Sequence, residues 1–595
     1  MASSSASPSP MRFPSLTSSF RGDNLIQPHG GSLVNLIAEG SGLEQVIQDA
    51  TNAPFVLTLT PRQICDLEML MNGGFSPLTG FLNEDDYLSV VNTMHLANGL
   101  LWPMPINLDV SEEFAQKVPL GSFVALRDPE RRLLALLTVE SKYKPDKALE
   151  AERVLGSPDD TTHPAIKYLL ESVGEWYLGG AIRGVALPVY FDYTSLRNTP
   201  AQLRETLRKM YWDTVVGFQT RNPMHRSHRE VTLRAARQAK ANILIHPVVG
   251  LTKPGDVDHY TRVRCYIELV KTYPPGMAIL SLLPLAMRMA GPREALWHGI
   301  IRQNYGCSHF CVGRDHAGPG KNRAGQDFYD VYEAQRLAAA HQHEVEIKFL
   351  FFQEMLYVEE LGEYLTADEA KGLTTRSISG TELRRRLYRG IPIPDWFSFP
   401  NVVKILQETY PPRDKQGFTI FFTGLSGSGK TTLANAFLSA LLEDGKRPVT
   451  LLDGEEIRHH LASELGFSKQ DRDMNVHRVG YVASLITKSG GVALCSMISP
   501  YDDARKKVRQ MISEVGGFIL VHLSTPLEVC EARDIFGLYA KARAGEIQSF
   551  TGISDPYETP ADAQIVVDTS RASIRQGVHN ILLWLEQEGY LAENR

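Results

Sequence analysis

The sequence lacks several features that would place it in special protein classes. Only 6 of its 595 residues are cysteine, and they are scattered along the chain. This excludes a disulfide-stapled secreted scaffold and favours a reducing compartment. No apolar run approaches the roughly 18 residues of a membrane-spanning helix, so no membrane partner is expected. The net charge is -6, which disfavours a nucleic-acid-coating role, so no nucleic-acid partner is expected.

The amino terminus lacks the apolar segment of a secretory signal. It is rich in Ser and Pro, and its two arginines, Arg12 and Arg21, only faintly resemble those of an organelle transit peptide. We therefore expect a flexible tail over residues 1–22 and a cytoplasmic protein.

What is present indicates an ordinary globular protein of several domains. Apolar residues make up 43% and charged residues 22%, and the length suggests about three to five domains. From residue 23 to 192, short apolar runs are broken by Gly, Pro and Asp, which predicts a β-rich domain without a catalytic constellation. Its expected strands include Phe55–Leu59, Pro105–Leu108, Ser122–Leu126 and Leu133–Val139.

From residue 193 onward, apolar runs alternate with helical patterns, as in parallel α/β sheets. This predicts an α/β domain over 193–353, a small α/β domain over 354–413 and a second large α/β domain over 414–595. The expected strands are Thr214–Phe218, Ile243–Val249, Met277–Leu283, Phe310–Val312, Phe418–Phe422, Val449–Leu452, Val492–Cys495, Phe518–Leu523 and Ile565–Val567, and the expected helices include His228–Lys240, Pro292–Asn304 and Thr432–Leu442.

A phosphate-binding loop follows the strand Phe418–Phe422. Residues Gly424–Thr431 read GLSGSGKT, which fits G-x-x-x-x-G-K-[ST] in full. The glycines allow backbone N–H groups to wrap phosphates, Lys430 would reach the β- and γ-phosphates, and the Thr431 hydroxyl would bind Mg²⁺. The predicted ATP-binding residues of this loop are Gly424, Ser426, Gly427, Ser428, Gly429, Lys430, Thr431 and Thr432.

Asp453 ends the next expected strand and would face the phosphates. A carboxylate there would hold the metal or accept a proton from an acceptor hydroxyl. From this segment alone, the sequence is equally consistent with a solvated acidic turn that begins a helix and has no catalytic role.

The downstream motifs are Phe467-Ser468, Asp471-Arg472, Asn475, Arg478 and the segments 498–501, 537–547 and 550–552. Taken in this order with the P-loop, they make the region 418–595 resemble adenylylsulfate (APS) kinases. The resemblance implies transfer of the ATP γ-phosphoryl group to the 3′-hydroxyl of APS, which gives PAPS, with Asp453 and Lys430 catalytic and Thr431 and Asp453 near Mg²⁺. Residues 533–547 would form a mobile lid. The resemblance implies an APS site made of Arg458, Phe467, Arg472, Asn475, Ser499, Lys541 and Phe550.

Two positions depart from the kinase pattern. Glu455 stands where the family usually has Asp, and Phe536 stands where the lid usually carries Lys. In the segments 246–264 and 281–293, the chain also resembles filamentous-fungal ATP sulfurylases, whose kinase-like domain has lost its P-loop and acts as a PAPS sensor. An inactive regulatory domain is therefore the alternative, although the intact P-loop favours a working kinase.

A second site is predicted just after the strand Thr214–Phe218. His225 and His228 are three residues apart and share one side of a helical turn. Such a pair alone is as often a metal or surface pair, but no third ligand is evident. The neighbouring Arg221 and Asn222 instead favour an anion site. The loop at 313–321 has glycines for an anion nest, and the segment 287–294 brings another basic group, Arg288.

These loops in this order resemble those of ATP sulfurylases, from about residue 25 to 410. The resemblance implies that ATP and sulfate give APS and diphosphate, on a Rossmann-like nucleotidyltransferase domain preceded by a PUA-like domain. Thr220, Arg221 and Asn222 would be catalytic, and Gln219, Arg221 and Ala317 would bind sulfate. ATP would be bound by Gln219, Asn222, His225, His228, Arg288, Gly313, Arg314, Asp315 and His316.

The two halves make chemical sense together. Forming APS is uphill, and a kinase that consumes APS would draw the reaction forward. The expected function is complete sulfate activation, with ATP, sulfate and APS as small-molecule partners and Mg²⁺ as cofactor. A pair of enzymes acting on a nucleotide sugar and a binding protein without turnover are less favoured. The resemblance suggests a homo-oligomer, either a dimer or a hexamer.

Overall fold

The computed structural model describes residues 25–534 and 536–591, so the tail predicted at 1–22 lies outside the described residues. The described chain forms two compact units. One contains the residues up to Ile378 together with Pro394–Ile405, and the other contains Ser379–Ile393 and the residues from Leu406 onward. None of the described helices combines the length and apolar character that a membrane span requires.

Residues 25–192 build a seven-stranded, largely antiparallel sheet with six helices. Its strand order is β1-β4-β5-β7-β2, and β3 and β6 also pair with β7. The elements are β1 (Phe55–Thr58), β2 (Gly80–Phe81), β3 (Leu108–Val110), β4 (Phe123–Arg127), β5 (Leu133–Thr138), β6 (Ser141–Tyr143) and β7 (Trp176–Gly184), with α1 (Gly40–Thr51), α2 (Pro61–Met71), α3 (Glu84–Thr93), α4 (Glu112–Lys117), α5 (Lys147–Leu155) and α6 (Pro164–Glu171).

Three of the four strands predicted here are confirmed within one or two residues, and the strand at Pro105–Leu108 is wrong except for its last residue. Met104 and Ile106 are fully buried, which explains the apolar signal. Pro105 lacks an N–H and cannot donate to a ladder, so the chain packs there without strand pairing.

Residues 193–409 contain a five-stranded parallel sheet of order β10-β9-β8-β11-β12 and a three-stranded antiparallel sheet of order β14-β13-β15. The strands and helices predicted here are confirmed, with β9 and β10 shorter than expected. The elements are β8 (Val215–Phe218), β9 (Asn242–Ile245), β10 (Ala278–Leu280), β11 (His309–Val312), β12 (Lys348–Phe351), β13 (Met355–Val358), β14 (Glu363–Thr366) and β15 (Thr375–Arg376), with α7 (Pro200–Lys209), α8 (Arg226–Ala239), α9 (His259–Val270), α10 (Gly291–Asn304), α11 (Glu333–Ala340), α12 (Gly380–Arg389) and α13 (Pro400–Thr409).

Helix α10 is the central support of the first unit. Every residue from Gly291 to Asn304 except Arg293 is buried. A helix buried on all sides belongs to the core rather than to a surface. It joins one continuous hydrophobic core that runs from Leu25 to Phe349, so the β-rich region and the first parallel sheet share their interior.

Residues 413–591 form a second parallel sheet of order β17-β18-β16-β19-β20. The central strand β16 is buried along its whole length, as its mostly apolar sequence predicts. One core packs it against α14 and α20, and another packs it against α16 and α17. The elements are β16 (Phe418–Gly424), β17 (Val449–Asp453), β18 (Val492–Ser496), β19 (Gly517–Leu523) and β20 (Ile565–Val567), with α14 (Lys430–Asp444), α15 (Gly454–Leu461), α16 (Lys469–Lys488), α17 (Asp502–Ser513), α18 (Leu527–Arg533), α19 (Leu538–Arg543) and α20 (Ile574–Gln587).

Candidate active sites

The first candidate site lies where the order of the first parallel sheet reverses. Strand β8 pairs with β9 on one side and with β11 on the other. Gln219 directly follows β8, and Gly313 directly follows β11. Because parallel strands end at the same edge, both predicted loops leave the sheet at its topological switch point, where α/β proteins bind ligands.

The loop after β8 holds its polar groups in fixed positions. The Thr220 hydroxyl donates to the Asn222 carbonyl at 2.9 Å and accepts the Asn222 N–H at 3.1 Å. The Arg221 guanidinium is held by Asp256, whose carboxylate oxygens lie 2.5 and 2.7 Å from Nη1. This pair occupies one nitrogen of the guanidinium and leaves Nε and Nη2 for an anion.

His225 and His228 lie at the start of α8, as their spacing predicts. The His225 N–H donates to His228 Nδ1 at 3.1 Å, and His225 Nδ1 lies 2.9 Å from the Ser398 hydroxyl. Burial lowers the pKa of His225 to about 3, helped by the neighbouring His228, and burial lowers the pKa of His228 to about 4. Both rings are therefore neutral near pH 7, so each can donate or accept a hydrogen bond but carries no positive charge.

The loop after β11 presents backbone donors. Asp315 and Ala317 have φ values of +48° and +56°, a left-handed conformation that L-residues adopt only when their surroundings hold them. Among the described residues, no acceptor takes the Ala317 N–H. The Arg314 guanidinium lies 3.0 Å from Glu354, and His316 Nε2 lies 3.0 Å from His298 Nδ1.

Arg288 is placed differently from the other predicted groups. Its side chain is 3% exposed and forms an ion pair with Asp66 at 2.6 Å. Its guanidinium also donates to the Ala286 carbonyl and lies over the ring of Trp297. Its contacts thus tie the segment after β10 to α2.

The second candidate site surrounds the P-loop between β16 and α14. Gly427 and Gly429 have φ values of +74° and +94°, and a Cβ at Gly427 would lie 3.0 Å from the Cys530 carbonyl. Glycine is required there because a side chain would meet both strain and a close neighbour. Gly424, Ser426, Ser428 and Thr432 complete the predicted loop, and the Ser428 hydroxyl is buried without a partner among the described residues.

Lys430 is the buried cation of this site. Its side chain is 9% exposed, and Nζ donates to the Leu425 carbonyl of its own loop at 2.8 Å. Burial lowers its pKa to about 8, against the opposing influence of Cys530 and Asp453. An amine kept in a poorly hydrated loop gains strongly from a phosphate neighbour.

The residues predicted for Mg²⁺ lie together. The Thr431 hydroxyl is 3.3 Å from Asp453 Oδ2 and 3.2 Å from the Ser496 hydroxyl. One carboxylate and one or two hydroxyls suit Mg²⁺, which prefers oxygen ligands and completes its shell with phosphates and water. Within the described residues, no cluster of three or more His, Cys, Asp or Glu side chains is arranged to hold a metal.

The predicted acceptor site is a set of aromatic, basic and unpartnered polar groups. Arg458 and Arg472 lie 4.5 and 5.6 Å from the ring of Phe467, which is 58% exposed. Asn475 Oδ1 and Ser499 Oγ are buried without partners among the described residues. Such groups are costly unless a ligand completes their hydrogen bonds.

The predicted lid contacts the P-loop through residues that the sequence reading missed. The Tyr539 hydroxyl on α19 donates to the Ser426 carbonyl at 2.9 Å, and the Tyr539 ring packs edge-on against Phe550. Lys541 on the same helix is exposed. Phe536, one of the two departures, is 73% exposed.

Other groups missed by the sequence reading come from distant segments. Asp256, Ser398 and Arg302 contact predicted site residues 35 to 173 positions away. No local motif marks any of the three, so only the folded chain could reveal them.

Comparison with known proteins agrees with this division. Family models match residues 26–187 (PUA-like domain), 194–409 (ATP-sulfurylase) and 416–568 (Adenylylsulphate kinase). The sulfate adenylyltransferases of Neurospora crassa and Emericella nidulans are 52% and 54% identical to this chain. Both alignments span 95% of this chain and 99% of the relative. A solved structure described as a hexameric APS kinase from Thiobacillus denitrificans is 37% identical, with a TM-score of 0.78, over 95% of this chain and all of that one.

The fold class predicted from the sequence is therefore confirmed, as are a nucleotidyltransferase and a kinase in one chain. The chain belongs to the sulfate adenylyltransferase family and joins a PUA-like, an ATP-sulfurylase and an adenylylsulfate kinase region in a single polypeptide.

Proposed function

We propose that the chain activates sulfate in two steps. ATP and sulfate first give APS and diphosphate, and a second ATP then phosphorylates APS to PAPS. The observation that carries this proposal is the intact P-loop with buried Lys430, together with Thr431 beside Asp453, in a chain whose other unit has the sulfurylase loops. A purely regulatory domain would have no need for this phosphate-transfer machinery.

In the first step, the protein positions two anions and stabilises charge. Arg221, Gln219 and the Ala317 N–H bind sulfate, and the neutral His225 and His228 donate to the ATP phosphates. A sulfate oxygen attacks the α-phosphorus in line, and diphosphate leaves. No nucleophilic side chain is needed, because positioning and charge stabilisation supply the rate enhancement.

In the second step, the P-loop N–H groups and Lys430 hold the phosphates of ATP. Asp453 lies where it can accept the proton of the APS 3′-hydroxyl. Arg458, Arg472, Asn475 and Ser499 hold APS, with its adenine between Phe467 and Phe550. Mg²⁺, bound near Thr431 and Asp453, would neutralise charge on the transferring phosphoryl group.

The remaining features of the proposal concern organisation. We assign the domains to residues 23–192, 193–353, 354–413 and 414–595. The six free and buried cysteines support a reducing, cytoplasmic setting. A hexameric relative supports a homo-oligomer.

Product identification tests the function. Pure protein is incubated with ATP, Mg²⁺, labelled sulfate and pyrophosphatase, and APS is separated from PAPS. We expect PAPS to accumulate. If the reaction stops at APS, the C-terminal domain is an inactive regulatory domain rather than a kinase. The absence of both products would refute the sulfurylase step as well.

The lowered pKa of Lys430 predicts the pH dependence of the second step. Because the free loop has its Lys430 pKa at about 8, the amine loses its proton as pH rises through 8. kcat/KM for ATP, which reports the free enzyme, should therefore be maximal below pH 8 and fall above it. The measurement is the kinase rate with added APS between pH 6.5 and 9.5.

Lys430→Arg provides the matched variant, because a guanidinium keeps its charge over this whole range. Its kcat/KM for ATP should be lower but should not fall with pH through this ionisation. If kcat/KM for ATP falls with pH in the same way in the wild type and in Lys430→Arg, the ionisation belongs to a group other than Lys430.

A further inference from the structure

Helix α10 carries a buried polar stripe that the proposed function leaves unused. Glu294, His298 and Arg302 follow one another at four-residue intervals and so lie on one face of the helix. All three are completely buried. Burying such groups costs free energy unless they find partners, so their partners indicate what they are for.

Each residue of the stripe contacts a different strand-end segment of the first candidate site. Glu294 accepts the N–H groups of Arg288 at 3.0 Å and Ala290 at 2.8 Å. His298 contacts His316 in the loop after β11. The stripe therefore reaches two of the three predicted segments through its first two residues.

Arg302 reaches the third segment. Its Nη2 donates to Gln219 Oε1, directly after β8, and to the His246 carbonyl at 2.9 Å, directly after β9. This single guanidinium therefore ties together the carboxyl ends of two neighbouring strands.

The contact with Arg302 decides which way the Gln219 amide points. A guanidinium has only donors, so the atom facing it must be the amide oxygen. The NH₂ group of Gln219 therefore points away from Arg302. Among the described residues its only hydrogen-bond partner is the sulfur of Met287, at the long distance of 3.6 Å. Sulfate has only acceptors, so this orientation presents to it the half of the amide that it needs.

Strand β8 makes room for the Arg302 stem. A Cβ at Gly217 would lie 3.0 Å from Arg302 Cγ and 3.1 Å from the sulfur of Cys307. Glycine inside a strand commonly marks such a close approach. The glycine of the β8 sequence is thus explained by the passage of this side chain.

Arg302 also brings a buried positive charge. Its Nε and Nη1 have no hydrogen-bond partner among the described residues. Burial lowers its pKa to about 10, against the opposing influence of the Cys307, Tyr305 and Glu294 side chains, so it stays a cation at neutral pH. A buried cation that no hydrogen-bonded carboxylate neutralises gains when an anion binds close by.

We propose that Arg302 is a positioning residue of the sulfate site and acts through Gln219, whose carboxamide it turns so that the NH₂ group faces the anion. The inference rests on the proposed sulfurylase function, and it adds to the site a residue from the core helix.

A double-mutant cycle of Arg302→Met and Gln219→Ala tests this. KM for sulfate, KM for ATP and kcat of APS formation are measured in the full chain with pyrophosphatase. Arg302→Met should raise KM for sulfate about 10- to 100-fold, the effect of losing an oriented donor to an anion, and should change KM for ATP less than about 3-fold. In the Gln219→Ala background, the same substitution should raise KM for sulfate less than about 3-fold further.

Arg302→Lys separates positioning from mere support of the core. Lysine keeps the charge and most of the stem, but its ammonium ends one bond short of the position of Nη2, so KM for sulfate should lie between those of the wild type and Arg302→Met. Where Arg302→Met fails to fold, the cycle is run with Arg302→Lys. Phosphorylation of added APS by each variant reports whether the other unit remains intact.

Arg293→Met is the matched control, because Arg293 lies on the same helix and donates to two backbone carbonyls, those of Val90 and Val91. It should leave KM for sulfate unchanged. Multiplicative effects of Arg302→Met and Gln219→Ala, or an unchanged KM for sulfate in Arg302→Met, would overturn the proposal. A wild-type protein that forms no APS would refute the sulfurylase function itself.

Discussion

Lys430→Ala should make the chain stop at APS, with a fall in the kinase rate of about 1,000-fold or more. The expected size follows from the surroundings of the amine. Its side chain is buried, and in such a setting one fixed charge beside developing negative charge is worth several kcal/mol. In the wild type the Lys430 ammonium donates a hydrogen bond to the Leu425 carbonyl, and a bound phosphate would replace this weaker acceptor.

The sulfurylase step should survive this substitution. In the presence of pyrophosphatase, labelled sulfate should enter APS at the wild-type initial rate, while PAPS is absent. Lys446→Ala is the control, because Lys446 is an exposed lysine of the same unit whose ion pair is with the nearby Asp444 on the surface. PAPS output at the wild-type level in Lys430→Ala would disprove the role of the P-loop, and equal loss of both steps would indicate a folding defect.

The sheets and the P-loop could be predicted from sequence because their signals are local. Strand β16 reads as a mostly apolar run, and the sequence after it fits the phosphate-binding consensus G-x-x-x-x-G-K-[ST] in full. The strand expected at Pro105 failed because burial alone produced its apolar pattern. Apolar periodicity reports burial, and it reports pairing only where each backbone N–H is available to donate.

The candidate sites were predictable only in part, because only some of their residues belong to local sequence motifs. The loop motifs at 219–228 and 313–317 could be recognised because each directly follows a strand of the parallel sheet, and the structure places both at the same edge. Arg302 could not be predicted in this way. An arginine within a helical sequence is normally expected on the surface of the helix, and only the fold shows that Arg302 is buried and contacts Gln219. Asp256 is equally hidden, since its partner Arg221 is 35 positions away.

Arg221→Ala should abolish APS synthesis, lowering kcat/KM for sulfate by about 1,000-fold or more. Sulfate carries two charges, and the planar fork of Arg221 offers it two parallel hydrogen bonds that no neighbouring side chain can replace. The loss should be larger than that of one hydrogen bond. Removing the guanidinium also leaves the Asp256 carboxylate without its ion-pair partner Arg221. That negative charge would repel the substrate directly.

This last effect can be measured by adding Asp256→Asn to Arg221→Ala. Removing the carboxylate should recover about 10-fold of the lost kcat/KM for sulfate, since a like charge at close range costs roughly that much. Arg237→Ala, at an exposed arginine of α8, should behave as the wild type. In every variant, phosphorylation of added APS should continue, because it depends on the other unit. APS synthesis retained in Arg221→Ala would remove Arg221 from the sulfate site, and a double variant no better than Arg221→Ala would show that Asp256 serves only to hold the loop.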